Sequence, residues 1–357
     1  MNLKVCAGLA ALALTGAVLG CGADAATTPV QAVAVGTMNG TANPNSYTFA
    51  LIGDMPYGQS KADSLPGFIR FMNADPSLEM VLHSGDIKAG SRSPCTDSLF
   101  VANKLKFDAI TNPFVYTPGD NEWTDCHIGI KNNGLFTPTE RLQKIRSLFF
   151  PNIYRSLGQT VRYVTPQGGE GGQFNDYIEN VRFEESGVTF VTLNITGSND
   201  DLASWGTTLP ANAGNYPSQA AERALRWRAN LRWMNSAFAY ARAHNSRGIV
   251  FLYQADMWDP AEPTLAGFDD YVREFGEQGA AFGKPILLLH GDSHAFRVDQ
   301  PFTANSPFYG MHPRMTVAPN ITRIVNSGSG SVTSYVRITI DMTGNGPLFS
   351  WKEVQYK

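Results

Sequence analysis

Five short segments of this chain end in a residue that can hold a metal or move a proton. They are Asp54 after Gly53, Asp86 after Gly85, Asp120 after Gly119, Gln254 after Tyr253, and the pair Asp292 and His294 in Gly291-Asp-Ser-His. A single Gly-Asp is a common turn, and any one of these aspartates reads equally well as a loop cap. Five polar ends in order, each directly behind an apolar run, need a shared reason. Carboxylates buried together are unfavourable unless a cation neutralises them. Oxygen donors with an imidazole suit Mn²⁺, Mg²⁺, Fe or Zn²⁺. Two such ions about 3.5–4 Å apart activate a water and clamp a phosphoryl oxygen.

The apolar runs themselves say what positions these residues. Residues 47–53, 79–84 and 113–117 read as buried strands, with helical spacing over 65–73 and 99–110 between them. That β-α-β-α-β order predicts a parallel sheet with right-handed crossovers. Ligands of such sheets bind outside the carboxyl ends of the strands, where the aspartates stand. Thr137-Pro138-Thr139-Glu140 starts a helix that should reach Phe149. Residues 177–196 read as a hairpin turning at Glu185-Ser186-Gly187. Residues 219–244 and 268–281 read as helices, 248–253 and 285–289 as strands, and the tail 321–354 as strand-rich. The expectation is one domain over residues 45–357, with insertions between 127 and 247.

The order and spacing of the polar ends resemble the calcineurin-like metallophosphoesterase superfamily, over roughly Tyr47 to Asp341. The gaps are 32 residues from Asp54 to Asp86 and 34 from Asp86 to Asp120. The resemblance implies an α/β fold, a four-layer α-β-β-α sandwich of the metallo-dependent phosphatase type. It implies a di-metal centre with Asp54, Asp86, Asp120, Gln254, Asp292 and His294 as ligands and Asp86 bridging. Several positions depart from the family pattern. Pro56 stands where the first motif has a His, so Tyr57 fills in or faces substrate. Asp120 replaces the metal-binding Asn, and Asn121 takes the catalytic position of the His that protonates the leaving group. Gln254 replaces a His, with Tyr253 the alternative if the register slips, and Asp256 could serve instead. Asp292 replaces the first His of the closing motif. Imidazoles have been traded for oxygens, which favours Mn²⁺, Mg²⁺, Fe or Ca²⁺ over Zn²⁺, as one or two divalent ions.

Around this cluster, Lys88 and Arg297 are candidates to neutralise a substrate phosphate, against the alternative of surface cations on loops. His290 and His127 are candidates for the missing acid, although His290 also reads as a structural residue at a strand end. Glu122 and Trp123 flank the third motif as supports. Cys95 and Cys126 are the two cysteines outside the leader and predict a disulfide, the alternative being two free thiols.

The first residues indicate export. Lys4 precedes an apolar run from Val5 to Gly20, followed by Cys21. Val18-Leu19-Gly20-Cys21 reads as a lipobox, with residues 1–20 a lipoprotein-type signal peptide, Cys21 lipidated and residues 21–44 a flexible tether. Ala23-Asp24-Ala25 is the competing cleavage site. The expected location is the bacterial cell envelope, with membrane contact only through the lipid anchor. The 357 residues carry a net charge of −3, which argues against general nucleic-acid binding. A hydrophobic content of 43% argues against disorder. Two functions follow. One is a metal-dependent phosphoester hydrolase acting outside the cytoplasm on a small-molecule substrate. The other is a catalytically weakened metal- or ligand-binding surface lipoprotein on the same scaffold.

Overall fold

Every residue of the strand Gly248–Leu252 is buried, and the pleat divides them between two environments. Ile249 and Phe251 pack against helices, whereas Val250 and Leu252 meet the strands of another sheet. A strand covered on both faces reads as a continuous apolar run, which is why its sequence lacks a polar face. The whole molecule repeats this pattern.

The computed structural model describes residues 43–90, 93–128, 136–206, 209–328 and 332–356. Cys21, the leader and nearly all of the tether lie outside the described residues. The described residues belong to one unit spanning 38–357. The first sheet contains β1 (Ser46–Ile52), β2 (Met80–His83), β3 (Phe114–Tyr116), β11 (Ser334–Asp341) and β12 (Phe349–Gln355), in the order β12-β11-β1-β2-β3. The second contains β4 (Thr165–Pro166), β5 (Val181–Glu185), β6 (Val188–Thr192), β7 (Gly248–Leu252), β8 (Ile286–His290), β9 (Arg297–Asp299) and β10 (Ile321–Val325), in the order β4-β5-β6-β7-β8-β10-β9. The longer helices are α1 (Gln59–Asn73), α2 (Asp97–Phe107), α3 (Pro138–Phe149), α4 (Gln219–Ala243) and α5 (Asp269–Phe282).

Three apolar layers hold four layers of structure together. Between the sheets, Phe49, Leu51, Met80 and Leu82 meet Phe190, Val250, Leu252 and Leu289. The Phe49 and Phe190 rings meet edge to face at 5.3 Å. Outside the first sheet, Ala50, Ile52, Val81 and Phe114 pack on Phe68, Ile69, Phe100 and Ile145 of α1, α2 and α3. Outside the second, Ile249, Phe251 and Leu288 pack on Trp233, Phe238 and Phe275 of α4 and α5. The result is an α-β-β-α sandwich.

Register aligns the strand ends. β1, β2 and β3 are parallel, with Ile52 beside His83 and His83 beside Tyr116. β6, β7, β8 and β10 are also parallel, with Thr192 beside Leu252, Leu252 beside Leu289 and Val325 beside His290. Helix α1 starts six residues before the expected 65 and carries Pro66 inside it, a residue that reads as a helix start in sequence. The span 127–247, expected to carry insertions, supplies α3, β4–β6 and α4 to the layers themselves.

Candidate metal centre

Each aspartate of the site follows its strand by only a few residues, and several sit in unusual backbone. Asp54, Asp86, Asp292 and His294 have φ of 53°, 61°, 74° and 59°, the left-handed region where Asp is better tolerated than most residues. Glycines beside them leave room for nothing else. A Cβ on Gly291 would lie 2.1 Å from Asp54 Oδ2, and one on Gly119 would lie 2.1 Å from Asp86 Oδ1.

The side chains converge. Asp54 Oδ1 accepts from the Asp292 backbone N–H at 3.0 Å and lies 3.2 Å from His294 Nε2. Asp54 Oδ2 accepts from Asn326 Nδ2 at 2.8 Å. Asp86 Oδ2 accepts from Asn121 Nδ2 at 2.7 Å, Tyr57 Oη at 2.8 Å and Gln254 Nε2 at 3.3 Å. Asp120 accepts from Gln254 Nε2 at 3.2 Å and from Ser198 Oγ at 3.1 Å. Two overlapping groups could hold a cation: Asp54, Asp86 and His294, then Asp86, Asp120 and Asp292, with ligand atoms within 4.8 Å of one another in each. Asp86 belongs to both.

Electrostatics tests whether a cation fits. Burial raises the carboxyls of Asp86, Asp120 and Asp292, and negative neighbours raise them further; Asp120 is pushed up to about 8. A divalent cation would offset that repulsion, so the donor set fits one. The set is dominated by oxygen, which suits hard ions such as Mn²⁺ and Mg²⁺.

Supports lie behind the ligands. Glu122 is wholly buried, and its Oε1 accepts from the backbone N–H of Asp86 at 3.1 Å, from that of Gly119 at 2.7 Å and from Tyr116 Oη at 2.7 Å. It ties the second ligand loop to the third. A disulfide joins Cys95 to Cys126 with Cα atoms 5.8 Å apart, and ties the same two loops again. The Trp123 ring is buried under the Arg226 guanidinium at 5.3 Å, a packing role.

Several expected roles change. Lys88 does not face a substrate: it is fully buried, with Nζ on the Ala89 carbonyl, a cation among Glu122, Asp125, Asp86 and Asp120. His290 is not placed to act as an acid. It is buried, with its ring stacked on Tyr253 at 5.3 Å, and burial lowers its pKa. Asp256 is not a spare ligand, because Oδ1 is held by Arg323 at 2.8 Å. Tyr57 sits inside the cluster, 3.3 Å from His294 Nε2, rather than on its rim. Gln254 is in place, but its Nε2 faces the carboxylates and its Oε1 accepts from the Gly197 backbone N–H. Arg297 remains half-exposed, 3.9 Å from Asp256 Oδ2. His127 is partly buried, with Nδ1 on the Thr124 carbonyl.

Two contributors went unread in the sequence, Asn326 and the Gly197-Ser198 pair. Asn326 directly follows β10, so the rule that found the aspartates also marks it, whereas Gly197 lies five residues beyond the end of β6 and carries no such signal.

No family model matches the sequence, and no curated protein matches it. Solved structures do align with the fold. GAP50, the anchor in the inner membrane complex of Plasmodium, aligns with a TM-score of 0.44 at 11% identity, over 88% of this chain and 90% of that one. A 5'-nucleotidase precursor from Thermus thermophilus aligns with a TM-score of 0.37 at 11% identity, over 87% of this chain and 54% of that one. Among the described residues, no helix is long and apolar enough to cross a membrane.

Proposed function

We propose that this chain is a metal-dependent phosphoester hydrolase that works outside the cytoplasm. The observation that carries the reading is the convergence of Asp54, Asp86, Asp120, Asp292 and His294 at one rim, with Asp86 shared by both groups. A divalent cation held there would lower the pKa of a water and offset charge on a phosphoryl oxygen. Asp54, Asp86 and His294 would bind it, and Asn326 and the Asp292 N–H orient Asp54 for that task. Asn121 Nδ2 and Tyr57 Oη are hydrogen-bond donors at the cluster. The half-exposed Arg297 is the candidate to meet a substrate phosphate. The lipobox-like leader and the Cys95–Cys126 bridge support an exported chain, anchored through Cys21.

A second reading has its own observation. Asn121 cannot give up a proton, and His290 is buried, so a weakened protein that binds metal without turnover fits those positions. One experiment separates the two. Protein purified without chelator is assayed for metal content and for hydrolysis of an aryl phosphate monoester and diester with added Mn²⁺. Bound metal with turnover is expected. Bound metal with no turnover of either ester favours the binding protein, and no bound metal sinks both readings.

A further inference from the structure

The two donor groups are not equivalent, and Gln254 makes the difference. Its side chain is fully buried at the end of β7. The amide meets the Gly197 N–H on one side, and Asp86 Oδ2 and Asp120 Oδ1 at 3.3 and 3.2 Å on the other. A backbone N–H can only donate, so the atom facing Gly197 is Oε1 and the group facing the carboxylates is NH₂. An amide NH₂ offers protons and no lone pair to a cation. Flipping it would set donor against donor at Gly197 and oxygen against oxygen at Asp86 and Asp120.

Gly197 is fixed in turn. A Cβ there would lie 2.6 Å from Asp120 Oδ2, so its backbone already presses on the site. The next four residues, Ser198 to Asp201, have φ between 53° and 64°, a left-handed turn built without glycine. Such backbone persists only where surrounding contacts over-determine it. Here Asp200 pairs with the buried Arg226, Asn199 Oδ1 accepts from the Gly267 N–H at 2.7 Å, and Asp201 Oδ1 accepts from Trp205 Nε1 at 2.7 Å. Asn326 Nδ2 donates to Asp54 and Asn121 Nδ2 to Asp86, but among the described residues no amide bridges two carboxylates of the group of Asp54, Asp86 and His294.

We propose that the centre holds one tightly bound divalent cation, on Asp54, Asp86 and His294, and that Gln254 replaces a second cation by donating to Asp86 and Asp120. This rests on the metal-dependent reading above and changes the number of ions that the resemblance implies.

Equilibrium dialysis of the full chain against Mn²⁺, with electron paramagnetic resonance of the loaded protein, tests it. The wild type should hold one Mn²⁺ per chain, any second ion binding about 10–100-fold more weakly, the range typical for a perturbed site. Its spectrum should be that of an isolated ion. Gln254→His puts a lone pair where the NH₂ stands, and should gain a second ion and an exchange-coupled spectrum. Gln254→Glu should do the same and serves if the first variant fails to fold. Two ions of like affinity in the wild type, or a coupled spectrum, overturn the proposal. So does a folded His or Glu variant that stays at one ion. A wild type that binds no Mn²⁺ overturns the metal reading of the function and this inference with it, an outcome distinct from the others.

Discussion

Asp86 accepts from Tyr57, from Gln254 and from both the backbone and side chain of Asn121, and it belongs to both donor groups. Removing its charge takes away the anchor of any cation while leaving a side chain of the same shape. Asp86→Asn should therefore lower bound divalent metal to near zero and abolish hydrolysis while the fold survives. Metal analysis after gel filtration, with circular dichroism for the fold, decides it. Wild-type metal content in the variant would return the strand-end aspartates to the role of loop caps. Protons compete for the same oxygens. Burial, and after it the neighbouring Asp120 and Glu122, hold the Asp86 carboxyl well above its ordinary value, so at low pH a cation must displace a proton from it. Mn²⁺ affinity should therefore climb as pH rises and then level off, and a titration series that stays flat contradicts the acidic centre. The aspartates were legible because each stands directly behind an apolar run. The orientation of the Gln254 amide was not, since it depends on a backbone N–H contributed by Gly197, in the turn that follows β6. His290 shares a face of β8 with Leu288, which packs on the helices, so pleat alternation already pointed it away from solvent.

Most strands and helices were readable from their apolar periods, although α1 starts six residues before the expected 65. The segment from Gly197 to Asp201 was not, because no propensity rule calls for four left-handed non-glycine residues in a row. Each such residue costs about 1–2 kcal/mol relative to ordinary helix. Contacts from α4 and the start of α5 offset that cost, chief among them the buried Asp200–Arg226 pair. Deleting one partner of a buried pair costs about 3–5 kcal/mol where the other charge is left alone, an upper bound here because Arg226 Nε keeps Glu222 at 3.1 Å. Asp200→Ala should show a loss of that order in urea unfolding, and an unchanged midpoint would mean that the turn is held by something else. The loop-tying disulfide lends itself to a similar measurement. Its cysteines are 31 residues apart, and closing a loop of that size contributes about 3–4 kcal/mol in the chain-entropy model. Reduction should lower the unfolding midpoint accordingly, while Cys95→Ser with Cys126→Ser should match the reduced wild type.

For the molecule as a whole, the buried acids link stability to pH and to metal. In the cation-free protein Asp120 titrates near 8, against about 3.9 for an aspartate in an unfolded chain. The folded state thus holds more protons between those limits. Its contribution is fully present below the lower value and is lost as pH rises through the upper one. His83 works in the opposite sense: burial lowers its pKa to about 4 from 6.5, so it costs stability only as pH falls below 6.5. With chelator present, Tm should fall between pH 6.5 and 8, and excess Mn²⁺ should cancel the fall; a chelated protein that gains stability over that interval would refute the linkage. The order of the strands carries a further consequence, for synthesis rather than for equilibrium. Asp54 emerges from the ribosome early, but the groups that orient it are 238 and 272 residues later, at Asp292 and Asn326. β1 also waits for β11 as its antiparallel neighbour. A growing chain therefore has no complete cation site until its last strands are made. Loading of a cation there would wait for those strands, and the compartment in which they fold would decide which ion is at hand.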